Sequence, residues 1–317
     1  MKEIGGYFEL EIGYGKLYHD NAQCFNSGRS CFAVIVNSYC VDQIWLPLYM
    51  CDAIENKCKD LGVKISYYNV TTDLSPQIKG IPRTDWLYLV NYFGLNSDII
   101  INTMAERENI IVDNAQAFFL KQMGKCPTLY SCRKFFGVPD GGYLYIDNKA
   151  KDYSSLYDAE MVGGRVGHLI GRYEGNAESF YDDYLYNEKC ISDGPIRRMS
   201  KVSSNLLRGV DYKTVKEQRE MNYRILHECL SKINLLNVGR VPGPYAYPLL
   251  IEEGERLRNK LCQMKIYIPT LWPNVLKNNS IGSSEYFLAN NLLPLPCDQR
   301  YTEEDMVFIS KMVLEQI

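Results

Sequence analysis

The sequence has few features of a secreted, membrane-spanning or nucleic-acid-binding protein. Its longest clean apolar run, residues 31–36, is far shorter than the roughly 20 residues that span a bilayer. Lysine and arginine are spread along the chain, and the formal net charge is -3 with a pI near 5.8. The first residues, MKEIGGYFELE, are acidic where a secretion signal needs an apolar stretch. We therefore expect a cytoplasmic protein that binds neither membrane nor nucleic acid.

Cysteine and histidine are not arranged as a disulfide framework or a zinc site. The 11 cysteines are odd in number and form no C-x-x-C pair. His19, His168 and His227 are the 3 histidines, at neither H-E-x-x-H nor zinc-finger spacing. The segment MVGGRVGHLIG matches neither G-x-G-x-x-G nor a P-loop. The sequence thus predicts reduced thiols, no metal, and neither of these nucleotide-binding loops.

The first part of the chain alternates helical and strand-like segments. Apolar periodicity predicts helices at residues 28–38 and 51–61. Strands are expected at residues 43–46, 64–70, 86–90, 110–113, 128–131 and 142–146. This rhythm predicts an α/β fold with a mostly parallel sheet between helices, a three-layer large domain at residues 1–195.

The pattern changes in the later part of the chain. The stretch SFYDDYLYNE is expected to be irregular, and residues 212–233 to form a long helix. Strands are expected at 245–251 and 265–268, with a helix at 253–264 between them. Thr302-Glu-Glu-Asp predicts a capping box that opens a terminal helix. We expect a smaller α+β domain at residues 196–317.

Three short segments contain candidate functional groups. Lys134, flanked by aromatic residues, would be partly desolvated and nucleophilic toward an aldehyde, although such a lysine is commonly a solvated charge. Asp113 ends an apolar strand, where ligands collect in open α/β sheets, but it could equally cap a helix. Residues 26–30, Asn-Ser-Gly-Arg-Ser, offer N–H groups to an anion or form an ordinary helix start.

The order of these segments resembles the DegT/DnrJ/EryC1/StrS family of fold-type I enzymes, which use pyridoxal 5'-phosphate (PLP) to aminate nucleotide-linked keto sugars. Residues 26–30 stand in place of the family's Gly-Thr phosphate turn, and residues 46–51 in place of its strand with proline and an aromatic turn. Asn91-Tyr-Phe-Gly resembles the family's His-x-x-Gly segment, and Asp113-Asn-Ala-Gln its Asp-x-Ala-Gln/His element. Residues 131–142 resemble the Ser-to-Lys block, and residues 293–306 the closing Leu-Pro strand and helix.

The resemblance implies roles for individual residues. Lys134 would bind the aldehyde of PLP and later move a proton, and Asp113 would bind the pyridinium nitrogen. Gln116 would lie by the ring face or its 3-hydroxyl. The phosphate would contact Ser27, Gly28 and Arg29 at the start of the helix, and the Ser131 hydroxyl. The family's dimers form their sites between subunits, so a homodimer is expected.

The sequence also departs from the family pattern. Ser131 and Lys134 are three residues apart instead of five, so Arg133 is a candidate for a phosphate contact. Cys51 occupies the place of the family's ring-stacking aromatic residue, which leaves Tyr49, Tyr92 or Phe93 as stacking or core residues. Arg197 or Arg198 could supply the cation that reaches the partner's cofactor, or be a surface charge. The chain is also shortened between Lys134 and Arg197.

The resemblance implies an aminotransferase that takes an amino group, commonly from glutamate, and passes it to a keto sugar for a polysaccharide or another glycoside. A lysine at position 134 favours transamination, since a dehydratase branch of the family has histidine there. Two alternatives stay open: a PLP-dependent lyase or decarboxylase, and a degenerate member with a binding or regulatory role.

Overall fold

A seven-stranded sheet forms the centre of the computed structural model, which describes residues 6–11, 13–146 and 152–317. The strands are β1 (Gln23–Phe25), β2 (Gln43–Pro47), β3 (Lys64–Tyr68), β4 (Trp86–Val90), β5 (Ile110–Asp113), β6 (Thr128–Ser131) and β7 (Gly142–Tyr145). Their spatial order is β1-β7-β6-β5-β4-β2-β3. β7 is antiparallel to both of its neighbours, and the other pairs are parallel. The expected α/β class and mostly parallel sheet are confirmed.

Three helices follow strands in the first half; the first two were expected, and the third was missed in the sequence. They are α1 (Gly28–Tyr39), α2 (Asp52–Leu61) and α3 (Ser97–Glu106). At the start of α1 the Ser27 hydroxyl accepts a hydrogen bond from the Ser30 N–H at 3.1 Å. α2 ends at Gly62, whose left-handed backbone suits a residue without a side chain.

The middle of the chain is more helical than expected. It contains α4 (Gly167–Glu174), α5 (Tyr181–Asp193) and α6 (Lys201–Arg208). The prediction that SFYDDYLYNE is irregular was therefore wrong, because most of this segment lies in α5. Only Asn187 and Ile191 of α5 are fully buried, so this helix has no apolar stripe of the kind that identifies helices from sequence.

The C-terminal part is a two-stranded antiparallel sheet with helices packed against it. Its elements are α7 (Tyr212–Leu230), β8 (Tyr247–Leu250), α8 (Gly254–Gln263), α9 (Pro273–Asn278), α10 (Ser284–Asn291), β9 (Leu292–Leu295) and α11 (Glu303–Gln316). The capping box of Thr302 and Asp305 is confirmed at the start of α11. The strand expected at residues 265–268 was wrong, because Ile266 and Ile268 are buried in the core without strand pairing.

The hydrophobic core connects both halves, with buried residues from Phe25 to Val313 in one cluster. The domain division between residues 195 and 196 stays a prediction. Within the described ranges, no helix has both the length and the apolar character needed to cross a bilayer.

His19 ties the start of the chain to the loop after β5. Its Nε2 lies 2.8 Å from the Phe118 carbonyl oxygen and its Nδ1 lies 3.1 Å from the Tyr145 hydroxyl. Burial lowers the pKa of His19 from 6.5 to about 4, although the Phe118 carbonyl opposes the shift. The folded protein therefore keeps this imidazole neutral at mildly acidic pH.

We expect His19 to make the protein less stable in acid. Below pH 6.5 the imidazole binds a proton in the unfolded chain, whereas in the folded chain it binds one only near pH 4. The free energy of unfolding therefore falls as the pH is lowered from 6.5 to about 4. Between pH 7 and 5 the free energy of unfolding should fall by about 2 kcal/mol more in the wild type than in His19→Gln. Urea denaturation at both pH values measures this difference, and equal losses in the two proteins would contradict the assignment.

Candidate active site

A large cleft lies at the carboxyl ends of β5 and β6, beside the start of α1. Its volume is about 1180 Å³. Seven of the residues singled out from the sequence line it, namely Ser27, Gly28, Arg29, Asp113, Ser131, Arg133 and Lys134. The position agrees with the rule that ligands of open α/β sheets bind beyond the carboxyl ends of the strands.

Strand register brings the start of α1 close to the end of β6. Gly142, the first residue of β7, is paired with Phe25 on one side and with Ser131 on the other. A Cβ at Gly142 would lie 2.6 Å from the Ser27 carbonyl carbon and 2.9 Å from the Gly28 nitrogen. Glycine is therefore required here for the two segments to lie side by side.

The start of α1 offers groups that suit an anion. The Ser30 N–H is taken by the Ser27 hydroxyl, whereas the N–H groups of Gly28 and Arg29 have no hydrogen-bond partner in the described part of the chain. Free N–H groups and the helix dipole favour a negative charge at this point.

Two guanidinium groups line the same side of the cleft. The Arg29 side chain has no ion pair within the described ranges, while Arg133 pairs with Glu188 of α5. Burial lowers the pKa of Arg133 to about 10, and the neighbouring charge of Arg29 acts in the same direction. A phosphate bound here would relieve this repulsion.

The Asp113 carboxylate is fixed by two donors. Its Oδ1 accepts from the Ala115 N–H at 2.8 Å, and its Oδ2 accepts from the Tyr88 hydroxyl at 2.8 Å. It has no cationic partner among the residues that the structure describes. A half-buried carboxylate without an ion pair can take a cationic N–H group of a ligand.

Lys134 is exposed within the cleft, and its Nζ lies 5.9 Å from the centre of the Tyr245 ring. The desolvation expected from its aromatic neighbours was wrong, because Phe135 and Phe136 are buried in a separate aromatic cluster with Phe118 and Phe119. The amine is thus accessible to a ligand.

Cys51 lies in the same cleft as these two functional groups. Its thiol lines the cleft, and burial raises its pKa. The Lys134 ammonium opposes that shift and the Asp113 carboxylate adds to it, so both groups lie near the thiol. Cys51, Lys134 and Asp113 therefore line one cleft.

Distant parts of the chain hold the loop that carries Lys134. The Phe135 carbonyl accepts from Arg219 Nη2 at 3.1 Å and from Gln299 Nε2 at 2.8 Å. Asp140, fully buried, accepts from the Ser200 N–H at 2.8 Å and from the Ser200 and Ser203 hydroxyls. These contacts fix both ends of the loop.

Four residues singled out from the sequence do not line the cleft. Tyr49 is buried against Tyr92 and Trp272, and Phe93 is buried with its N–H bonded to Gln116 Oε1 at 2.9 Å. Gln116 is itself buried. Arg197 lies 3.7 Å from Asp158 in an ion pair. Their assignments to the cofactor stay predictions.

Several lining residues were missed in the sequence. They are Tyr88, His168, Arg172, Tyr173, Tyr184, Arg219, Tyr245, Asp298 and Arg300. Most come from α4, α5 and the C-terminal part, whose approach to the cleft no local pattern indicates. Tyr88 had a usable signal, since it is a tyrosine on the strand next to Asp113.

Comparison with known proteins gives a consistent result at the level of the fold. No protein-family model and no curated protein sequence matches the chain. The sugar aminotransferase CalS13 from Micromonospora echinospora superposes with a TM-score of 0.66 at 11% identity, over 94% of this chain and 88% of CalS13.

The chain has the fold of a sugar aminotransferase. A DegT DnrJ EryC1 StrS aminotransferase from Brucella abortus has the same fold, with a TM-score of 0.62 and 14% identity over 93% of this chain and 85% of that one. Spr1654 from Streptococcus pneumoniae, in its PLP form, superposes with a TM-score of 0.64 at 13% identity, over 93% of this chain and 88% of Spr1654. The aminotransferase fold thus covers nearly the whole chain.

Proposed function

We propose that the chain is a PLP-dependent aminotransferase of the DegT/DnrJ/EryC1/StrS type that moves an amino group, with glutamate as the expected donor, to a keto sugar. One observation carries the proposal: Lys134, Asp113 and the free N–H groups of α1 face one cleft in a sugar aminotransferase fold. These are the groups that an aldehyde, a pyridinium nitrogen and a phosphate require.

The cleft's own residues fit PLP. Asp113 has no ion pair with any residue that the structure describes, and it would hold the ring nitrogen. The Gly28 and Arg29 N–H groups, Ser131, and the Arg29 and Arg133 side chains would hold the phosphate. Bound PLP supplies an electron sink for the carbon that carries the amino group. Lys134 would bind the aldehyde carbon and then move the proton at the substrate carbon.

The keto sugar is proposed to carry a nucleotide. The volume of about 1180 Å³ exceeds that of most single-ligand pockets, which leaves room for a second molecule beside the cofactor. Arg172 and His168 of α4 line the cleft and suit a diphosphate. Tyr173, 92% exposed, and Tyr184 offer rings to a base.

The protein is further proposed to be a cytoplasmic homodimer with shared active sites. Large apolar side chains are exposed on the α4–α5 segment, including Ile170, Tyr181, Leu185 and Tyr186. Such patches favour a protein partner, and they lie next to the cleft. None of the eleven cysteines, all within the described ranges, forms a disulfide bond, which suits a reducing compartment.

An absorption experiment on the wild-type protein tests the proposed reaction. Added PLP should give the band of a lysine-bound cofactor, and glutamate should convert that band to the amine form. A nucleotide-linked keto sugar should then restore the original spectrum. Absence of the first band would overturn the proposal, and a band unmoved by any amino acid would favour a degenerate, regulatory member.

A further inference from the structure

Tyr88 reaches Asp113 because of strand geometry. Val90 of β4 is paired with Asp113 of β5, so both side chains point to the same face of the sheet. Tyr88 is two residues before Val90 and therefore points to that face as well. Its ring is long enough to extend toward the strand end, where the hydroxyl meets Asp113 Oδ2 at 2.8 Å.

The Tyr88 ring is held firmly in place. The residue is fully buried, its ring lies edge-on against Phe32 of α1 with the centres 5.7 Å apart, and its carbonyl accepts from the Tyr68 hydroxyl at 2.7 Å. Burial, with Asp113 next in effect, raises the pKa of Tyr88 well above its usual value. The phenol therefore stays protonated and remains a hydrogen-bond donor.

The direction of this hydrogen bond differs from that of nearby buried tyrosines. Tyr68 donates to the Tyr88 carbonyl and Tyr92 donates to the Tyr49 carbonyl, which satisfies each hydroxyl within the core. Tyr88 instead donates to a carboxylate that faces the cleft. A hydrogen bond to a charged acceptor is worth more than one to a neutral carbonyl.

We propose that Tyr88 is a positioning residue that orients the Asp113 carboxylate toward the ring nitrogen of the cofactor. This inference rests on the proposed function and adds a residue to it. Ala115 N–H holds one oxygen and Tyr88 the other, so the plane of the carboxylate is fixed before the cofactor arrives. Without the phenol the carboxylate can rotate, and its contact with the ring nitrogen weakens.

The test compares binding of PLP with binding of an analogue that has carbon in place of the ring nitrogen. Wild-type protein should prefer PLP. Tyr88→Phe should lose about 10-fold of that preference, because the analogue does not use Asp113. The matched control is Tyr223→Phe, which removes a buried hydroxyl that donates to the Gly239 carbonyl in the C-terminal part and should keep the wild-type preference.

The outcomes separate the two proposals. If the wild type binds no PLP, the proposed function fails and the role of Tyr88 fails with it. If the wild type prefers PLP and Tyr88→Phe has the same preference, the proposed function stands and only the role of Tyr88 is overturned. A loss of preference in Tyr223→Phe equal to that in Tyr88→Phe would also overturn it, since the effect would then follow the loss of any buried tyrosine hydroxyl.

Discussion

A Lys134→Ala variant is expected to bind PLP without forming the lysine-bound absorption band, and to lose roughly 10³-fold or more of its transamination rate. The fold should remain, because the Lys134 side chain is exposed and the loop is held through Phe135 and Asp140. The loss comes from removing both the amine that binds the aldehyde and the base that moves the proton.

Two comparisons make this result specific. Lys213→Ala, which removes an exposed lysine of α7, should leave the band and the rate unchanged. A small primary amine added to Lys134→Ala should restore part of the rate, because it can replace the missing base in an open cleft. A normal band in Lys134→Ala would show that another lysine holds the cofactor.

An Asp113→Asn variant is expected to keep the Lys134-linked band but to react with glutamate roughly 10²- to 10³-fold more slowly. The amide oxygen would accept from the Ala115 N–H and the amide NH2 would donate to the Tyr88 oxygen, and the amide has no charge to keep the ring nitrogen protonated. Single-turnover spectra with saturating glutamate measure the rate directly, separately from PLP affinity.

The control for Asp113 is Asp98→Asn, an exposed aspartate in the first turn of α3. It should react at the wild-type rate. A single-turnover rate within about 3-fold of wild type in Asp113→Asn, small beside the loss expected on removing a preorganised charge, would mean that this carboxylate does not face the ring nitrogen.

The central strands could be predicted from sequence because burial leaves a simple pattern. The bounds of β4, β5 and β6 match the expected residues 86–90, 110–113 and 128–131. Strands covered on both faces are continuous apolar runs, and polar residues mark their ends. α5 was missed because it buries few residues and so has no apolar pattern. Ile266 and Ile268 have the alternating apolar pattern of a strand, but they pair with no strand of the described chain.

The residues of the candidate site also fall into those that a local sequence pattern could indicate and those that it could not. Asp113, Ser131 and the start of α1 could be located because each follows from a local feature, the end of a strand or the start of a helix. Tyr88 and Arg219 act across strand pairs and between distant segments, so their roles appear only in three dimensions. Tyr49 and Phe93 are buried in the core, and their assignments to the cofactor stay predictions.

The anchoring of the loop with Lys134 also limits how the chain can evolve. One end of the loop is bound by Arg219 and Gln299, and the other end is bound by α6 through Asp140. An insertion between Ser131 and Lys134 would shift these anchors unless the C-terminal segments changed with it. The short spacing and its distant supports are therefore expected to be inherited together, and recombination between them to be selected against.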